Sequence, residues 1–190
     1  MSILDKVVAA VTPPESEEAR MEARQRARAA AANGGADWLS MVLHHHIQIE
    51  AAFDAVKTAR DSAARVAAQK KLGLILTGHS NAEESVLYPA LARADEKGHA
   101  GMAYTEQAAA KMQMAELENM TPMSQEYLDK LEHIRGAVAH HVYEEEGTWF
   151  LELKEKASAT EQAKLSKRYQ EEFDRYVGAD GAWEQARHAG

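Results

Sequence analysis

Two stretches of this chain read almost alike, His79-Ser80-Asn81-Ala82-Glu83-Glu84-Ser85-Val86-Leu87-Tyr88-Pro89 and His141-Val142-Tyr143-Glu144-Glu145-Glu146-Gly147-Thr148-Trp149-Phe150. Both follow the pattern His-x-x-x-Glu-Glu-x-x-apolar-aromatic. On a helix, residues four apart stand one above the other, so each copy aims an imidazole and a carboxylate the same way. That is how a helix presents two metal ligands. A looser third copy, His46-x-x-x-Glu50, comes earlier, with Phe53 about a turn further on. One such motif alone reads best as a surface pair worth about 0.2–0.5 kcal/mol. Three motifs in phase with apolar stripes reverse that reading. Imidazoles and carboxylates buried together without a cation leave desolvated charges with little to balance them.

The elements that must position these residues are helical. Leu39, Val42, His46, Ile49, Phe53 and Val56 step by three and four, which predicts a helix from about 36 to 60, capped by Asp37, with His46 on its buried stripe. A second helix restarts at Asp61-Ser62 and carries Leu72, Ile75, Leu76, His79, Glu83, Val86 and Leu87, with Pro89 expected to kink or end it. After a loop at 95–101, holding an exposed His99, a third helix is expected over about 102–120, facing inward with Ala103, Gln107, Ala110, Met114 and Leu117. Ser124 can cap a fourth, whose buried face is Tyr127, Leu128, Leu131, Ile134, Val138, His141, Glu145 and Trp149. Ser158-x-x-Glu161 has the form of a capping box for a last helix ending near Val177-Gly178. The expected fold is all-α, an up-down antiparallel four-helix bundle with an extra N-terminal helix and a C-terminal helix. Its parts are an N-terminal helical extension over 1–35, the bundle plus C-terminal helix over 36–178 and a frayed tail over 179–190. Within the extension, residues 3–11 form a short amphipathic turn or two. An Ala/Arg/Glu helix then runs from Ser16 to Ala32, exposed or partner-bound, and stops at Asn33-Gly34-Gly35.

Composition narrows the chemistry. The 190 residues suffice for one domain with a real core, and four prolines leave helix unopposed. A net charge of −8 argues against a nucleic-acid role, which needs a concentrated basic face. The absence of cysteine excludes disulfides, thiolate zinc sites, iron–sulfur clusters and a thiol nucleophile, leaving nitrogen and oxygen ligands. The N-terminal apolar run is short and interrupted by charge, unlike a signal peptide or a spanning helix, so a cytoplasmic location without membrane attachment is expected. Met112, Met114, Met120 and Met123 read as adaptable core filling. Trp149 and Tyr88 read as a roof over the polar centre, and His44, His45 and His140 as solvent-facing or outer-layer neighbours of the ligands.

At His46, His79-x-x-x-Glu83 and His141-x-x-x-Glu145, over about residues 36–157, the chain resembles the hemerythrin-like (HHE cation-binding) family. The resemblance implies that these five residues ligate two iron ions, with the carboxylates bridging. Where the family's third helix supplies a histidine, this chain has Gln107 beside Glu106. An amide is a poor iron ligand, so that position is either open or filled by Glu106, Glu50, Tyr104 or water. Glu50 and Glu106 therefore join the candidate ligands. The resemblance implies binding or reduction of a small oxidant such as O2, peroxide or NO by a monomer or homodimer. Among the roles it implies, oxygen carriage or sensing, peroxide or NO detoxification and iron handling in stress and repair, a carrier or redox enzyme is expected over a freestanding sensor. The alternative is an iron- or oxygen-responsive binding protein whose metal occupancy controls a partner surface, with the Arg20–Arg28 helix as the contact.

Overall fold

Helices in this chain begin where a short polar side chain can take up a free N–H of the first turn. Ser16, Asp37, Asp61, Ser124 and Ser158 each accept from the backbone three residues on. The computed structural model describes residues 15–31, 37–94 and 97–178. The expectations for residues 3–11, the stop at 33–35 and the tail at 179–190 lie outside them. The described elements are α1 (Glu17–Ala30), α2 (Trp38–Thr58), α3 (Ser62–Ala82), α4 (Tyr88–Arg93), α5 (Lys97–Glu118), α6 (Gln125–Glu144), α7 (Phe150–Lys156) and α8 (Ala159–Val177). Among the described residues there is no strand, and the helices pack as a bundle around one apolar core.

The apolar stripes read from the sequence are those that fill the core. Leu39, Val42, His46, Ile49, Phe53 and Val56 of α2 are all buried, as are Ala103, Gln107, Ala110, Met114 and Leu117 of α5. Helix α3 packs along α2 on one side and α8 on the other, while α5 packs against α4 and α6. The α3–α8 contact is close: a Cβ at Gly78 would lie 2.9 Å from Val177 Cγ1. Arg65 is buried and spends its donors on backbone carbonyls. Its guanidinium donates to the carbonyls of Val56, Lys57 and Ala59, where α2 ends, and to that of Pro122.

Two features depart from the expected course. Pro89 does not stop its helix: α3 passes through a π-helical segment, Glu83–Leu87, into α4, and α6 likewise passes through Glu145–Trp149 into α7. In each wide turn the N–H of the residue after the segment, Tyr88 or Phe150, donates to the carbonyl of Glu83 or Glu145 five residues back. Each segment starts on the glutamate of a His-x-x-x-Glu motif. His99 is not in a loop either. Helix α5 starts at Lys97, and His99 faces Glu152 at 3.1 Å while stacking on Trp149. Of the methionines expected in the core, Met114 is buried and Met120 packs on its edge, whereas Met112 and Met123 are exposed.

Candidate metal centre

Helix α2 brings in His46, α3 brings His79, and the two π segments open with Glu83 and Glu145. One ligand atom from each of these four lies within 4.8 Å of the others, and all four residues are buried. His79 Nε2 is 3.2 Å from Glu83 Oε2, and His46 Nε2 is 3.2 Å from Glu145 Oε2. His141 adjoins the group, its Nε2 lying 3.2 Å from Glu145 Oε1. Glu145 thus turns one oxygen toward His46 and the other toward His141.

Each imidazole has a partner on its outer nitrogen. His46 Nδ1 is 2.8 Å from Glu146 Oε1, and Glu146 is in turn held by Arg24 Nε at 3.0 and 3.1 Å. His141 Nδ1 is 2.8 Å from Glu106 Oε2. Tyr169 of α8 stands between two rings, 3.0 Å from His79 Nδ1 and 2.9 Å from His45 Nδ1. With His79 donating to the phenol and the phenol donating to His45, the lone pair of His79 is left on Nε2, facing the centre. Such outer partners fix the tautomer and orientation of a ligating ring.

On the His141 side the group is closed by Tyr88 and Gln107. Tyr88 Oη is 2.8 Å from Glu145 Oε1, 3.0 Å from His141 Nε2 and 3.3 Å from Glu83 Oε2. Gln107 Nε2 donates to Glu83 Oε2 and to Tyr88 Oη, both at 2.5 Å. Tyr88 therefore does more than roof the centre, since its hydroxyl lies among the candidate ligands. Trp149 is buried edge-on to His141.

Burial and charge set the protonation of these groups. Burial opposes protonation of His46, yet its contacts with Glu145 and Glu146 prevail and hold its pKa up at about 9. His141 behaves likewise beside Glu145 and Glu106, at about 10. Burial, followed by repulsion from His46, keeps His79 neutral, and His45 is pushed down to about 3 by burial and then by His44 and His46. Burial raises the carboxyl of Glu83 well above its usual range, with the charge of Glu145 adding to it. Burial acts on Glu145 in the same direction, but the two imidazoliums outweigh it and hold that carboxyl below the usual range.

Whether the residues suit a metal ion can be judged from the atoms left over. His46 Nε2, Glu83 Oε1 and Glu145 Oε2 are buried and have no hydrogen-bond partner. His46 and Glu145 approach one another, but without the alignment of a hydrogen bond. Orphaned polar atoms facing a common centre are costly unless something else satisfies them. A nitrogen and oxygen set of this kind fits iron, manganese or zinc.

The structure does not bring every candidate inward. Glu50 points outward from α2 and pairs with Arg24 Nη2 at 2.7 Å, its side chain 49% exposed. Helix α2 runs through this region without a π segment, and Ile49 rather than Glu50 takes the core face. Glu106 reaches only the outer nitrogen of His141, and Tyr104 donates to the backbone carbonyl of Glu84. His140 turns outward to Glu15, whereas His45 is buried against Tyr169 and Phe173.

Sequence reasoning missed Glu146, Arg24 and Tyr169. For Tyr169 a signal existed: it is a lone hydroxyl in the apolar stripe Leu165, Tyr169, Phe173, Val177, and a buried phenol needs a partner.

Residues 37–153, more than half of the chain, match the hemerythrin HHE cation binding domain. A DNA nickase of Nostoc sp. (strain PCC 7120) is 33% identical over 84 residues, which are 44% of this chain and 24% of the relative. The chain thus spans about a quarter of that relative's length. No solved structure matches it.

Proposed function

From a chain that belongs to the hemerythrin HHE cation-binding family, and whose buried His/Glu cluster could hold a metal ion, we propose a non-haem di-iron protein that binds or reduces a small oxidant, O2, peroxide or NO. His46, His79, Glu83 and Glu145 would hold one ion. His141, with the other oxygen of Glu145, would serve a second. The α2, α3, α5 and α6 helices form the up-down framework from which the ligands converge. The observation that carries the reading is the set of buried, partnerless atoms His46 Nε2, Glu83 Oε1 and Glu145 Oε2.

Bound iron supplies the electrons that such an oxidant takes up. The protein's own residues do the rest. Glu145 turns one oxygen to His46 and the other to His141, and Glu83 lies between His79 and Tyr88. Gln107 stands where the family supplies a histidine, and its amide holds Glu83 and Tyr88 rather than offering a nitrogen ligand. The second position is therefore poor in protein ligands, which favours reaction with an incoming small molecule over simple storage. The Tyr88 hydroxyl lies on that side, within reach to give a proton to a ligand there. Trp149, buried edge-on to His141, shields that side from water.

Metal analysis of the freshly purified protein, with its near-ultraviolet spectrum, tests the reading. Two irons per chain with ferric charge-transfer absorption are expected, and His79→Ala should lose both. A colourless zinc protein would overturn the redox role. A His79→Ala protein with full metal content would overturn the site.

A further inference from the structure

A chain of contacts links the outer nitrogen of His46, through Glu146, to a helix outside the residues that match the family. Helix α1, Glu17–Ala30, precedes the matched segment 37–153 and lies against the second π segment, burying Ala23 and Ala27. Its Arg24 makes two forks. Nε grips both oxygens of Glu146 at 3.0 and 3.1 Å, while Nη1 and Nη2 meet the two oxygens of the exposed Glu50 at 3.1 and 2.7 Å. Glu146 has a side chain only 2% exposed and takes the Nδ1 side of His46 at 2.8 Å. Glu145 and Glu146, neighbours in sequence, thus face the two opposite nitrogens of one ring.

The equivalent acid of the first motif behaves differently. Glu84 turns to the surface and pairs with Lys111 at 2.7 Å. Among the described residues it is α8, not α1, that packs against the first π segment, so the inward turn of Glu146 is not a property of the motif alone.

We propose that Glu146 and Arg24 are positioning residues of the metal centre. Glu146 keeps the proton of His46 on Nδ1, so that Nε2 presents its lone pair to the metal, and makes the ring a stronger donor. Arg24 holds the buried Glu146 in place, its Nε meeting both carboxylate oxygens on the side away from His46. Helix α1 is then a working part of the centre. This rests on the metal-binding reading above.

The test compares wild type with Glu146→Gln, Arg24→Gln and Glu50→Gln, each loaded anaerobically with ferrous iron. Glu146→Gln and Arg24→Gln should surrender iron to a chelator about 10–100-fold faster than wild type. The reduction potential of Glu146→Gln should rise, since a less basic imidazole stabilises the ferric state less. Glu50→Gln removes only the surface fork of Arg24 and should match wild type. Wild-type rates and potential in Glu146→Gln would overturn the proposal. So would a Glu50→Gln protein as leaky as Arg24→Gln, which would reduce Arg24 to docking α1. A second readout needs no metal. In the metal-free protein the ring N–H proton of His46 should resonate far downfield from its bond to a carboxylate and move upfield in both variants; an unmoved signal would overturn the inference. A wild-type chain that takes up no iron would instead strike at the proposed function, while the metal-free signal still decides the role of Glu146.

Discussion

Replacing Glu83 by glutamine should change the sign of its effect on stability according to whether metal is present. Without metal, Glu83 and Glu145 are two fully buried carboxyls in one small space, and the carboxyl of Glu83 is already pushed upward by burial and then by the charge of Glu145. Its Oε2 accepts from Gln107 and Tyr88, and its Oε1 has no partner. An amide keeps an acceptor for Gln107 and Tyr88 and removes the burden of the charge. In chelator-treated protein Glu83→Gln should therefore melt at or slightly above wild type. With metal the balance reverses. A ligand in thousandfold excess over its dissociation constant stabilises the fold by about 4 kcal/mol, or about 8–16 °C in Tm for a chain of this size. If loss of the carboxylate weakens binding about 100-fold, about 2.7 kcal/mol of that gain disappears, leaving a rise of only about 3–5 °C.

Far-ultraviolet circular dichroism melts of both proteins, with chelator and with ferrous iron under anaerobic conditions, measure all four states. Equal iron-induced shifts in wild type and Glu83→Gln would show that Glu83 is not a ligand. A chelator-treated Glu83→Gln protein melting well below wild type would refute the argument that the carboxyl is a burden when metal-free.

The pH dependence of the metal-free protein follows from His46 and His141, whose folded pKa values of about 9 and 10 stand above the ordinary 6.5. The stability that their protonated pairings contribute is fully present below pH 6.5 and lost as the pH rises through 9 and 10; melts at pH 7 and pH 10 should show that fall, and its absence would mean the rings are neutral. Ligation requires neutral imidazoles, so loading should release protons into a weakly buffered solution and apparent metal affinity should drop toward acid pH, both measurable by titration. Tyr169→Phe keeps the ring packing but leaves the outer nitrogens of His79 and His45 unserved; it should fold and lose metal to a chelator about tenfold faster, and a wild-type rate would dismiss Tyr169 as a positioning group. Arg65→Ala strips four backbone carbonyls of their donor and should cost about 3 kcal/mol, or about 6–12 °C in Tm, without changing metal content per folded chain.

How much of this could be read from the residues depends on the range over which each decision is made. The stripes of α2 and α5 repeat every three or four positions, and burial along them is a local consequence of helical geometry; those stripes also picked His46 out of His44-His45-His46 and His141 out of His140-His141. The π segments are a different matter. Nothing in the local spelling separates Glu83–Leu87 from an ordinary helical turn, because the wide turn is selected by what it places inward, with Glu83 and Tyr88 five residues apart and both turned to the centre. A strict four-residue period could find Glu83 and Glu145 but left Tyr88 as a lid, and it promoted Glu50, whose helix has no such turn.

The outer layer was harder still, since its partners are 122 residues apart in Arg24 and Glu146 and 90 apart in His79 and Tyr169. Even so, a trace of α1 is written in the chain. Gly147 follows Glu146 directly, and a Cβ there would sit 3.6 Å from the Cβ of Ala23 and 3.9 Å from Arg26 Nη2. Small residues at 23, 27 and 147 let two helices approach closely enough for Arg24 to reach over the edge and meet a carboxylate that water cannot. A bulky residue at 147 would lift α1 away, and Glu146 would then lose its contact with Arg24. Gly147→Leu should therefore reproduce the metal loss expected of Arg24→Gln while every ligand remains in place. Tight metal retention in that variant would mean the centre does not depend on its helical cover.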